Sequence, residues 1–88
     1  MLGRHPDNLD VRLCLGNVEF LAGRHDAAAR AYRTALAARP DWAEAKKNLA
    51  LTLERTGEAS DARELWRALV SHEAFGAEAR LRLAASER

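Results

Sequence analysis

The chain writes itself twice at a fixed interval of 34 residues. Adding 34 carries Pro6 to Pro40, Asp7 to Asp41, Leu15 to Leu49, Gly23 to Gly57, Ala28 to Ala62 and Arg33 to Arg67. The same step exchanges Gly16 for Ala50, small for small, and Tyr32 for Trp66, aromatic for aromatic. A second step carries Ala43, Glu44, Ala45, Leu49 and Ala50 to Ala77, Glu78, Ala79, Leu83 and Ala84. A period of this length marks stacked supersecondary units, none of which can bury its apolar face alone.

Each unit has the spacing of a helical hairpin. Leu9, Leu13, Leu15, Gly16 and Phe20 follow helical spacing up to Gly23, and Ala28, Ala31, Tyr32, Ala35 and Leu36 form a second stripe up to Pro40. Gly23 and Gly57 supply unhindered backbone for tight turns, and Pro40 cannot continue the second helix. Asp41 with Glu44 three residues on reads as a capping box, and Asp7 with Asp10 as a weaker copy. The pattern predicts helices at roughly 8–21, 25–38, 42–55, 59–72 and 76–87. β-branched residues are few and no hairpin turn is flanked by alternating strands, so no sheet is expected.

The small residues recur in phase with the aromatics. Gly16 in a helix interior costs about 1 kcal/mol against alanine, which calls for a packing reason: Gly16, Ala28, Ala50 and Ala62 let the helices approach closely. Tyr32 and Trp66 then fill the space between hairpins. Since the second unit carries Ala50 where the first has Gly16, alanine is expected to be tolerated at Gly16.

This pattern resembles the tetratricopeptide repeat, whose unit carries Leu-Gly in its first helix, a turn Gly, then Ala, an aromatic, Ala and a closing Pro. The first unit matches at Leu15, Gly16, Gly23, Ala28, Tyr32, Ala35 and Pro40, and the second at Leu49, Ala50, Gly57, Ala62, Trp66 and Leu69. Arg12 and Lys46 stand where the family often has Trp, Glu19 where Tyr is usual, and Ala74 replaces the second closing Pro. The resemblance implies an all-α fold of antiparallel helix-turn-helix repeats in a right-handed superhelix. One domain spans residues 1–88: a tail of a preceding unit or a tag at 1–6, repeats at 7–40 and 41–74, and a capping helix at 75–88.

Composition narrows the function. Fourteen basic and 13 acidic residues are interleaved along every helix, whereas a nucleic-acid or anionic-membrane binder concentrates one sign on one face. No apolar run approaches 18 residues and no secretory leader is legible, so membrane insertion is not expected. The compartment is left open, with a cytoplasmic setting the default. The single cysteine, Cys14, forms no internal disulfide and has no sequence neighbour that would activate it. His5, His25 and His72 lack metal-ligand spacing, and Gly16, Gly23 and Gly57 are explained by helix packing and turns rather than a phosphate-cradling loop. No catalytic residue, metal or cofactor is expected, and the chain reads as a non-enzyme.

What remains is the concave face that the resemblance implies, lined by first helices. Carried over by register, the groove residues are Asp10, Leu13, Cys14, Asn17, Phe20, Leu21, Lys47, Asn48, Leu51, Glu54, Arg55, Leu81 and Arg82. Asn17 and Asn48 each offer a donor and an acceptor to a peptide backbone, and Leu13, Phe20 and Leu51 supply an apolar floor. The alternative is that these residues only pack against a neighbouring unit or stand in solvent. One subclass of the family grips a terminal carboxylate, and Asn17, Asn48 and Arg82 fall on three of its places. Leu13 and Glu78 replace its two lysines, which removes most of the attraction for an anion. The expected function is therefore an adaptor or scaffold that binds a protein segment in the groove. The runner-up is a self-associating module, a homodimer or filament joined through Leu9, Val11 and Leu13 on its end face.

Overall fold

A computed structural model describes residues 9–86 and contains five helices: α1 (Leu9–Leu21), α2 (His25–Ala38), α3 (Ala43–Thr56), α4 (Ala59–Leu69) and α5 (Gly76–Ser86). The expected tail at 1–6, together with Pro6 and Asp7 of the repeat pattern, lies outside the described residues, as do residues 87–88. Each helix packs against its neighbours in the chain, and α1 also touches α3. The result is a slab 48 × 28 × 18 Å, about two helix diameters thick.

Two of the turns are the same device used twice. Gly23 and Gly57 take φ of 84° and 87°, a conformation that costs a side-chain-bearing residue about 1–2 kcal/mol. In each, the following N–H closes on a carbonyl five residues back: Arg24 on Glu19 at 2.8 Å and Glu58 on Leu53 at 2.9 Å. This satisfies a helix-end acceptor and reverses the chain.

Two sequence expectations need correction. The capping box at Asp41 and Glu44 does not form. The N-cap of α3 is Trp42, with no side-chain cap hydrogen bond, because Asp41 sits one residue too early, in the turn after Pro40. Helix α4 ends at Leu69 rather than near residue 72. The chain must turn back so sharply that a Cβ on Gly76 would stand 2.6 Å from the Val70 carbonyl oxygen. Arg80 Nη1 donates to that same oxygen at 3.1 Å, tying α5 to the end of α4.

The core follows the repeat. Tyr32, Trp66, Leu53 and Leu69 are its largest fully buried apolar side chains, and Ala28, Ala45, Ala50, Ala62 and Ala79 are buried around them. Small residues at these places let α-helices close on the two aromatics.

Gly16 departs from expectation. A Cβ there would lie 2.5 Å from Tyr32 Cε1 and 2.8 Å from Cδ1, so the ring lies directly on the glycine. Trp66 avoids the equivalent conflict with Ala50 by aiming one turn further along its own first helix, where Nε1 donates to Glu54 at 2.8 Å. Alanine at Gly16 is thus not the neutral change that Ala50 suggests. Overpacking a rigid core costs about 1–3 kcal/mol, against about 1 kcal/mol gained in helix propensity. Gly16→Ala is expected to lower stability by up to about 2 kcal/mol in chemical denaturation, and a variant more stable than the parent would contradict this packing.

Candidate functional site

Helix α3 carries Glu44, Asn48, Leu51 and Arg55 at i, i+4, i+7 and i+11. At 100° per residue these positions fall within about 60° of one another, so they form one stripe. Asn17, Phe20 and Leu21 of α1 face it, and Tyr32 of α2 closes the floor between the two helices. Together with Glu44, Asn48 and Leu51 they line a cleft of about 330 Å³.

The polar centre of the cleft is built around one oxygen. The Tyr32 hydroxyl donates to Asn17 Oδ1, and Asn48 Nδ2 donates to the same oxygen at 3.1 Å. Burial, and secondarily the Glu44 carboxylate, push the Tyr32 hydroxyl up to about 12. It therefore stays protonated and must donate, which assigns the facing Asn17 atom as the carbonyl oxygen. Among the described residues the Asn17 amino group and the Asn48 carbonyl oxygen have no side-chain or backbone partner. The site thus presents a donor beside an acceptor, both held in place.

The next interface repeats the wiring with charges. Adding 34 takes Tyr32 to Trp66 and Asn48 to Arg82. Trp66 Nε1 donates to Glu54 Oε2 at 2.8 Å, and Arg82 Nη1 donates to Glu54 Oε1 at 2.9 Å. Arg82 also reaches Glu78 at 3.5 Å and lies 5.9 Å from the Trp66 ring centroid. Each Glu54 oxygen already takes a charged or indole donor, whereas the first interface leaves an amide donor and a carbonyl acceptor without a protein partner among the described residues.

The expected groove residues divide accordingly. Asn17, Phe20, Leu21, Asn48 and Leu51 meet in the cleft. Glu54 and Arg82 join α3 to α5, and Lys47 stands over the Phe75 ring at 5.2 Å. Arg55 lies over the Phe20 ring at 5.9 Å, on the rim. Asp10, Cys14 and Leu81 are exposed away from the cleft lining. Leu13 is not a floor residue: it is only 7% exposed and belongs to the core, because α2 and α3 cover that end of the α1 stripe. Sequence reasoning missed Tyr32 and Glu44 as lining residues. The ring-on-glycine pairing of Tyr32 with Gly16 was the available signal for the first.

Tyr32 is the only tyrosine in the chain, so its ionisation can be followed directly by near-ultraviolet absorbance. A folded-state value raised above the ordinary 10 means that stability is intact below pH 10 and is lost as pH rises toward the raised value. Tyrosinate should form with a midpoint near pH 12, together with loss of helicity. A midpoint at about 10 in the folded chain would contradict a buried, donating hydroxyl.

Among the described residues no group of three His, Cys, Asp or Glu side chains could hold a metal ion, and no described helix is long and apolar enough to cross a membrane. No curated protein matches the chain at a significant level. Residues 2–43 and 15–79 match the family model for the tetratricopeptide repeat. With its helices, glycine turns and buried aromatics in that register, the chain belongs to the tetratricopeptide repeat family.

Proposed function

We propose that the chain is a non-catalytic adaptor that binds an extended segment of a partner protein in the cleft between α1 and α3. Repeats of this family generally mediate protein–protein interactions. The observation that carries the finer reading is the uncommitted pair at the cleft centre, the Asn17 amino group beside the Asn48 carbonyl. A backbone amide offers the complementary acceptor and donor, so the pair can hold a chain without reading its side chains. Phe20, Leu21 and Leu51 flank it with apolar surface, which favours desolvated contact.

A second reading, self-association, is favoured by a different surface. Val11, Leu15 and Val18 are all more than half exposed and recur on one side of α1. This stripe replaces the expected set of Leu9, Val11 and Leu13. Leu13 is buried, and the Leu9 side chain lies outside the described set. Apolar stripes of this kind mark interfaces.

The two readings separate on a partner recovered by affinity capture. Asn48→Ala should lower stability by only about 0.5–1.5 kcal/mol, the loss of its one hydrogen bond to Asn17, and leave the helices folded. It should weaken partner binding by about 1–3 kcal/mol, because a ligand group loses its hydrogen bond. Arg30→Ala and Arg67→Ala, on α2 and α4 away from the cleft, should bind as the parent does. If Leu15→Asp abolishes capture while Asn48→Ala does not, the α1 face is the interface and the cleft reading fails.

A further inference from the structure

The α3 stripe that borders the cleft carries opposite charges at its two ends. Glu44 lies at one end of the α3 stripe and Arg55 at the other, eleven residues on and nearly in line, which separates them by about 16 Å. Among the described residues neither takes part in an ion pair. Glu19, Glu54, Glu58, Glu64 and Glu78, by contrast, each meet an arginine. Glu44 is the only charged residue in the cleft lining. Arg55 is exposed, with its guanidinium carbon 5.9 Å from the Phe20 ring centroid. Between these ends the lining is uncharged: the Asn17–Asn48 pair with Tyr32, and the apolar surface of Phe20, Leu21 and Leu51.

Resting on the cleft reading above, we infer that the segment it accepts is itself bipolar: a Lys or Arg meets Glu44, an acidic residue meets Arg55, and an apolar side chain lies between. Extended chain advances about 3.3 Å per residue, so 16 Å sets the two charges about five residues apart. A free carboxyl terminus is disfavoured at the Glu44 end, where the fixed charge is negative. The opposite charges at the two ends also fix the direction of the bound chain, since reversing it places like charges together at both.

Random dodecapeptides displayed on phage, panned against the immobilised full chain, test this. Recovered peptides should carry a basic and an acidic residue four to six positions apart around an apolar one, in one constant order. The doubly reversed chain, Glu44→Lys with Arg55→Glu, should recover the opposite order. Glu44→Gln and Arg55→Gln should each weaken a synthetic copy of a recovered peptide about tenfold. Both positions are exposed, and circular dichroism of each variant confirms that the helices are retained. Peptides without the charge pair, or with the same order on the reversed chain, overturn the inference. If those peptides still lose binding with Asn48→Ala, the cleft reading stands and only its charge selectivity falls. Peptides indifferent to all three positions, or no enrichment at all, overturn both.

Discussion

Tyr32 belongs to the core and to the cleft at the same time. Its ring lies on Gly16 and is buried among alanines, while its hydroxyl reaches Asn17 at the cleft centre. An aromatic side chain has only two torsions, so a ring fixed by packing fixes its polar tip as well. The packing of one hairpin thereby decides which way an amide faces on the neighbouring helix surface. A larger residue at Gly16 would move the ring, and with it the hydroxyl that orients Asn17. The glycine's cost in helix propensity is the condition for an ordered polar site.

The two interhelical interfaces show one plan carried out in two chemistries. In both, an aromatic from the second helix and a residue from the following first helix donate to a single acceptor. With Tyr32, Asn48 and Asn17 all members are neutral, and an amide has atoms to spare after its own bonds are made. With Trp66, Arg82 and Glu54 the donors are an indole and a guanidinium, and each oxygen of the acceptor already takes one hydrogen bond. The charged version ties α5 to α3. The neutral version leaves a donor and an acceptor facing outward. Near-identical wiring thus yields a fastening in one interface and a recognition surface in the other.

Helices and turns were legible in the sequence because their causes are local. The positive φ at Gly23 and Gly57 and the missing N–H of Pro40 act within a few residues, and the 34-residue period places them. The early end of α4 could also have been read, since Gly76 marks a close backbone approach where the family's proline is missing. Asn17 and Asn48 were placed by register alone. Leu13 was misplaced because it lies one turn before Asn17 on the same stripe, and spacing does not say which end of a stripe a neighbouring helix covers. Tyr32 and Glu44 escaped for a related reason. One reaches the cleft from behind, through the gap that Gly16 leaves, and the other was assigned to a cap that the turn geometry does not permit.

The central claim is that the Tyr32 hydroxyl sets the Asn17–Asn48 pair before any partner arrives. Hydrogen exchange of the Asn48 side-chain amide, followed by nuclear magnetic resonance in the free chain and in Tyr32→Phe, tests it most directly. The account predicts that Asn48 exchanges more slowly than free asparagine in the parent and returns toward the free rate in the variant, with the backbone helices intact. Equal rates in the two proteins would show that the amide pair forms without Tyr32. A free-amide rate in the parent would show that the pair does not form at all.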